Sequence, residues 1–149
     1  MGEFLETRYD KFIFTVKTGY FYTKEDFWAN VENHKAVVGV SDFLQKVKGD
    51  VVFLETIEAG TPIKQGQEIG KIETIKATFG ILSPVGGKVA EVNSELESLP
   101  NLINEDPYGA GWLYRIELEN FETDKKNLLE ADAYFELMKE KIAEEVKKK

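Results

Sequence analysis

Short apolar runs separated by turn-forming residues dominate the chain up to about residue 118. The runs end at glycine, proline or asparagine, which favour tight turns. Runs of this length, with alternating or continuous apolar positions, are typical of β-strands. The pattern predicts extended segments over 11–17, 20–31, 36–40, 51–54, 69–73, 79–82, 88–92 and 112–118.

Two short helices and one long C-terminal helix complete the pattern. Ser41 precedes an apolar stretch that ends at Gly49, and Asn93 precedes a second short stretch, so each side chain can cap a helix. From Thr123 onward apolar residues recur at helical spacing, with Thr123 or Asp124 as the cap. We expect this stripe to pack on the sheets rather than to bind a partner: Leu128, Phe135, Met138, Ile142 and Val146.

The composition is that of an acidic globular protein. The 149 residues are 42% hydrophobic and 12% aromatic, which suffices for one packed core. Together with the strand pattern, this predicts a mostly β (α+β) domain of the sandwich or barrel-like kind. The net charge of −8 argues against binding to nucleic acid or to an anionic membrane. No apolar run approaches the roughly 20 residues of a membrane span.

The chain has no cysteine and a single histidine, His34. The missing cysteines exclude disulfides, thiolate metal ligands and a cysteine nucleophile, so any thiol chemistry has to come from a cofactor. A lone histidine in a predicted turn is a poor metal ligand, and we predict no metal site.

No motif indicates a catalytic centre. The chain carries no phosphate-binding loop and no nucleophile elbow, and we assign no catalytic residue. Residues 1–10 do not show the basic and then apolar pattern of a secretory signal, so we expect a cytoplasmic protein.

Lys76 stands between two predicted strands, at the position of a tight turn. Gly66 and Gly86 lie at equal distances on either side of it. On spacing alone, a lysine on a hairpin tip is more often a solvated charge than a functional group. A rigid hairpin does, however, present an amine to a modifying enzyme at a fixed geometry, and Glu73 on the approaching strand could be recognised by that enzyme.

The stretch 73–78, Glu-Thr-Ile-Lys-Ala-Thr, resembles the lipoyl-lysine site of the glycine cleavage system H protein family. Further segments resemble the family in the same order, over roughly residues 22–116. Biotin carriers share the hairpin-lysine layout but usually place methionines beside the lysine, where this chain has Ile75 and Ala77, and this favours lipoate. The matching segments are 38–43, 49–55, 83–89, 91–93, 102–104, 106–109 and 111–113.

The resemblance implies a barrel-sandwich hybrid with lipoate joined covalently to Lys76 and with Glu73 in partner or ligase recognition. It divides the chain into an N-terminal extension (1–21), a lipoyl-carrier domain (22–120) and a packed C-terminal helix (121–149). The implied function is that of a carrier and not an enzyme: the arm shuttles an aminomethyl group. The implied partners are glycine decarboxylase, aminomethyltransferase, dihydrolipoamide dehydrogenase, and a lipoate ligase or lipoyltransferase.

The chain departs from the family pattern at polar positions. The family's His-Glu-Trp appears as Asp26-Phe27-Trp28, Phe43 and Val47 stand where the family often has histidines, and Phe79-Gly80 replaces Ser-Asp. Two alternatives therefore stay open. One is an H-like lipoate-binding protein of a heterodisulfide-reductase-like sulfur-oxidation pathway, and the other is an unmodified interaction domain with the same fold.

Overall fold

The computed structural model describes residues 3–148, and none of the helices in this range is long and apolar enough to cross a bilayer. The strands are β1 Phe4–Tyr9, β2 Phe12–Lys17, β3 Phe21–Tyr22, β4 Phe27–Glu32, β5 Lys35–Val40, β6 Val51–Thr56, β7 Pro62–Ile63, β8 Glu68–Thr74, β9 Thr78–Leu82, β10 Gly87–Val92, β11 Tyr114–Leu118 and β12 Leu129–Glu130. The α-helices are α1 Asp42–Lys48, α2 Leu102–Glu105, α3 Phe121–Asp124 and α4 Ala131–Lys147, and 3-10 helices cover Ser94–Glu97 and Lys125–Asn127.

Two antiparallel sheets form the body of the fold. The larger has the order β12-β3-β4-β5-β11-β10-β7, and the smaller has the order β6-β8-β9. Along β8, Ile72 and Thr74 are buried while Glu73 between them is exposed, which is the alternation of a strand with one face in a core. Buried side chains of both sheets form one apolar cluster, which includes Val38, Ile69, Ile72, Ile81 and Ile116. This confirms the predicted mostly β sandwich with short helices and a C-terminal helix.

Trp28 joins β4 to β5 and to a distant loop. It lies opposite Gly39 in the strand register, and a Cβ atom at Gly39 would approach the indole ring to 2.5 Å. The indole nitrogen donates to the carbonyls of Val40 (2.9 Å) and Pro107 (3.0 Å). Burial of so large a side chain stabilises the fold by roughly 2–3 kcal/mol.

A second apolar cluster joins α4 and the N-terminal hairpin to the larger sheet. The rings of Tyr22 and Tyr134 stack at 4.4 Å with an interplanar angle of 5°, and Val16 and Met138 are fully buried in the same cluster. The apolar stripe predicted for the C-terminal helix therefore does pack inward, with Tyr134 as an unpredicted member.

The predicted start of the C-terminal helix is wrong. Thr123 and Asp124 do not cap it, because α3 stops at Asp124, a 3-10 turn follows, and α4 begins only at Ala131. Two tertiary contacts interrupt the helical pattern. Leu129 pairs with β3 in β12, and the Asp124 carboxylate accepts a hydrogen bond from the Gly86 amide at 2.8 Å. Leu128 consequently lies outside the helix.

The N-terminal residues form the β1–β2 hairpin, of which only the second strand was expected. β1 is the less apparent in sequence because, among the strands of residues 3–148, it pairs only with β2, and it leaves most of its side chains exposed. The hairpin is tied to the domain at Thr15. The Thr15 amide donates to the Asp42 carboxylate at 2.9 Å, and the Thr15 carbonyl accepts from the Tyr108 hydroxyl at 2.7 Å.

A buried polar network anchors α4. The Asp26 carboxylate accepts a hydrogen bond from the Tyr134 hydroxyl at 2.7 Å and forms an ion pair with Lys141 at 2.8 Å. The Tyr134 hydroxyl also lies 3.0 Å from the Ser41 Oγ. Burial raises the pKa of Asp26 above its ordinary value, and the bonds from Lys141 and Tyr134 oppose that shift. Because the folded-state pKa is raised, the contribution of Asp26 to stability is lost as the pH rises through that pKa.

We predict that Tyr134→Phe lowers the free energy of unfolding by about 1–3 kcal/mol, because the substitution leaves the buried Asp26 oxygen without its donor. Loss of the donor raises the pKa of Asp26 further, so the deficit is larger at neutral than at acidic pH. Urea unfolding at both pH values measures it. Tyr9→Phe, at an exposed position, is the control and should change stability by less than about 0.5 kcal/mol. Equal deficits at the two pH values would contradict the assignment.

Candidate functional site

The turn between β8 and β9 consists of Ile75, Lys76 and Ala77, and Thr74 closes it. The Thr74 amide donates to the Ala77 carbonyl at 2.7 Å. The buried Thr74 hydroxyl donates to the Lys48 carbonyl at 2.7 Å and accepts from the amides of Ala77 (3.0 Å) and Lys76 (3.3 Å). One threonine side chain therefore satisfies the backbone of the turn and connects it to α1.

A second contact fixes the tip of the turn. The Ile75 amide donates to the Asp50 carbonyl at 3.0 Å, in the segment that links α1 to β6. Gly49 in the same segment ends α1 with a φ of 95°, which favours glycine. A Cβ atom at Gly49 would lie 3.1 Å from the Lys76 Cε, so the glycine also leaves room for the lysine stem.

The Lys76 side chain is exposed, as the sequence predicts for a hairpin tip. Its amine makes no hydrogen bond and no ion pair with any residue between 3 and 148. A group joined to this nitrogen would meet solvent rather than core. The residues present thus fit a covalent cofactor in amide linkage.

Glu73 is exposed on the same hairpin, three residues before Lys76. It lies opposite Phe53 on β6 and Thr78 on β9, on the outer face of the smaller sheet. The carboxylate is therefore open to a macromolecule that approaches the lysine. Glu73 and Lys76 are therefore both exposed at the same end of the β8–β9 hairpin.

A groove runs beside the hairpin, between the smaller sheet, α1 and α4. The Glu68 carboxylate covers Gly80 so closely that a side chain at residue 80 would displace it. Sequence reasoning missed the roles of Glu68 and Thr74, although a threonine two residues before a turn lysine is a visible signal. It expected Gly49 to end the first short helix, as it does, but not to leave room for the lysine stem. Apolar residues line the groove together with acidic and basic ones: Phe27, Phe43, Leu44, Val47, Phe79 and Leu82, with Glu25, Asp26, Glu68, Glu144 and Glu145 and with Lys48, Lys141 and Lys148.

His34 lies far from the hairpin in the sequence, in the exposed turn between β4 and β5. Within residues 3–148, no group of three or more histidine or acidic side chains could hold a metal ion. We assign His34 no role in the site.

The sandwich fold and the exposed hairpin lysine define the class of carrier domains whose layout lipoyl and biotin carriers share. Residues 20–141 match the family described as "Glycine cleavage H-protein". The chain belongs to the glycine cleavage H-protein family, which confirms the resemblance seen in the sequence.

Individual relatives agree with this assignment. The chain is 45% identical over 119 residues to the glycine cleavage system H protein of Symbiobacterium thermophilum, which covers 80% of this chain and 92% of that protein. It is 44% identical over 118 residues to the glycine cleavage system H protein of Stenotrophomonas maltophilia, and this match covers 78% of this chain and 89% of that protein. The fold superposes on the crystal structure of a glycine cleavage system H protein from Mycobacterium marinum with a TM-score of 0.70 at 27% sequence identity. The superposition covers 80% of this chain and 95% of that chain.

We predict that Thr74→Val loosens the lysine turn. The substitution keeps the shape of the side chain but removes the oxygen that accepts from two amides, so unfolding becomes easier by about 1–3 kcal/mol. Hydrogen exchange at the Lys76 and Ala77 amides should become faster. Thr78→Val, at an exposed position on β9, is the matched control. Unchanged exchange in Thr74→Val would show that the hydroxyl does not hold the turn.

Proposed function

We propose that this protein is the lipoyl carrier of a glycine cleavage system and that lipoate is attached through an amide to Lys76. The observation that carries the proposal is the exposed amine of Lys76, which has no partner within the described residues, on a turn held by other residues. Family membership supplies the pathway, since the relatives compared above are glycine cleavage system H proteins.

The residues around Lys76 serve attachment by presenting the amine. An amide bond forms between the lysine nitrogen and the carboxyl carbon of an activated lipoyl donor. The bond from that carbon to the leaving group of the donor breaks, and the ammonium loses its protons to leave the amide N–H. Thr74 and Asp50 hold the turn during this step, so the attaching enzyme meets a pre-ordered substrate.

When bound, lipoate supplies a dithiolane that accepts an aminomethyl group while its disulfide is reduced and that is afterwards reoxidised. We infer that the chain itself is no catalyst and leaves these reactions to glycine decarboxylase, aminomethyltransferase and dihydrolipoamide dehydrogenase. A lipoate ligase or lipoyltransferase completes the set of partners. The net charge of −8 supports docking to partners with basic rims. We propose a cytoplasmic location, which the carrier would share with the enzymes it serves.

The relatives favour this assignment over both alternatives raised by the sequence. Neither a sulfur-oxidation carrier nor an unmodified interaction domain finds support in the family match or in the relatives named above. Phe27, Phe43 and Val47 line the groove at positions where the chain departs from the family pattern. They are the reason to test the cargo directly as well as the attachment.

We predict that Lys76→Arg abolishes lipoylation. Arginine keeps the positive charge but lacks the acylable primary amine, and the turn is held by Thr74 rather than by the lysine. Intact mass after incubation with lipoate, ATP and a lipoate ligase should rise by one lipoyl group in the wild type and not in the variant. Lys71→Arg, at an exposed lysine of β8, should be modified normally. Mass added to Lys76→Arg would argue against attachment at this residue.

The same pair of proteins tests the cargo. Lipoylated wild type should support glycine-dependent CO2 exchange by glycine decarboxylase, and Lys76→Arg should not. Normal lipoylation without exchange would exclude the aminomethyl role while leaving the carrier role intact.

We predict that Glu73→Ala slows lipoylation without destabilising the fold. The exposed carboxylate makes no hydrogen bond or ion pair with the described residues, so its loss should change the free energy of unfolding by less than about 0.5 kcal/mol. Its position three residues before Lys76 puts it within reach of an enzyme at the amine. The initial rate of mass addition measures the effect, with Glu58→Ala, an exposed residue after β6, as the control. Equal rates in the two variants would remove Glu73 from recognition.

A further inference from the structure

Large apolar side chains exposed to solvent gather at two places within residues 3–148. Three belong to the β1–β2 hairpin, and the others lie around β6 and the lysine turn. Phe53 is 58% exposed and Ile75 is 70% exposed, far from the buried state that such side chains prefer. We call the second group the apolar patch, and it consists of Val52, Phe53, Ile75 and Leu99.

Backbone contacts place most of this patch next to the lysine. Phe53 faces Glu73 across the β6–β8 pair. Ile75 directly precedes Lys76, and its amide is bonded to Asp50, just before β6 begins. A groove runs along β6 towards residues 96–100, and its lining includes Val52, Phe53, Leu96, Glu97 and Pro100.

The patch is not part of either core. Phe53 points away from Leu54, whose side chain packs against the core of the sandwich. β6 is also an edge strand of its sheet, so its outer side has no strand partner within the described residues. Single exposed apolar residues need no explanation, but a group of them at a sheet edge and beside a reactive amine marks an interaction surface.

We propose that the apolar patch docks the enzyme that acylates Lys76. This inference rests on the proposed function. An acylating enzyme has to bring its active site to the lysine nitrogen itself, so it must cover the residues directly around the turn. Enzymes that act on the cargo work at the far end of the arm, several bonds from that nitrogen, and can dock elsewhere.

The charges around the patch define the surface of this enzyme. Four exposed acidic residues lie at the patch: Asp50 directly precedes β6, Glu55 lies two residues after Phe53, Glu73 faces Phe53, and Glu97 lines the groove. One exposed basic residue, Lys71, faces Glu55 across the β6–β8 pair. An apolar centre with an acidic rim fits a partner that offers an apolar pocket for Phe53 and basic residues around it. Aromatic side chains at the centre of such interfaces contribute most of the binding free energy. Phe53 is therefore the residue on which docking should depend.

Phe53→Ser in the full-length, unmodified chain tests the proposal. We expect kcat/KM for lipoyl addition, from initial rates of intact-mass change with a lipoate ligase and ATP, to fall by about tenfold or more. The loss should lie mainly in KM, and titration of the ligase should show the same loss in affinity. Phe12→Ser is the matched control, because Phe12 is 45% exposed on the β1–β2 hairpin and is not part of the apolar patch. It should be loaded like the wild type.

The outcomes separate this inference from the function on which it rests. A wild type that takes up no lipoyl group would overturn the proposed function. A wild type that is loaded normally together with a Phe53→Ser variant loaded at the same rate would overturn only the docking surface, as would equal losses in Phe53→Ser and Phe12→Ser. If urea unfolding shows that Phe53→Ser is not folded, Ile75→Ser replaces it. A kcat/KM equal to that of the wild type in Ile75→Ser would then contradict the proposal.

Discussion

Hydrogen bonds from the lysine turn to the end of α1 and to the segment that follows it hold the site of this protein in place. A three-residue turn between two strands has few contacts of its own, and such turns are usually among the more mobile parts of a fold. Here the Thr74 hydroxyl and the Ile75 amide tie it to the carbonyls of Lys48 and Asp50. The Asn104 side chain of α2 supports that segment in turn, through the Val51 amide at 2.8 Å and the Gly49 carbonyl at 3.1 Å.

The two apolar clusters position the elements around the lysine turn. The sandwich core fixes β8 and β9, and with them the direction in which the hairpin leaves the domain. The second core holds α4 against the larger sheet, and the Asp26–Lys141 pair places the end of this helix at the groove beside the hairpin. The chemistry of that groove is therefore set by the helix and the smaller sheet together.

Local signals in the sequence were sufficient where they involve only neighbouring residues. Ser41 and Asn93 cap their helices as expected, since each side chain accepts from a backbone amide two or three residues on. The turn at Lys76 follows equally from the strands on either side. The late start of α4 could not be predicted, because it depends on pairing with Tyr22, which lies more than 100 residues away. The same separation hides the bond between Tyr134 and Asp26.

The way in which the turn is held has a consequence for handling the protein. Every hydrogen bond that orders residues 74–77 comes from the backbone or from Thr74, and the lysine amine contributes none within the described chain. Acylation should thus leave melting behaviour almost unchanged, so thermal shift assays are poorly suited to following it. What acylation does alter is the net charge, since an amide replaces an ammonium on an already acidic surface. Anion-exchange chromatography or a native gel should separate the two forms without any label.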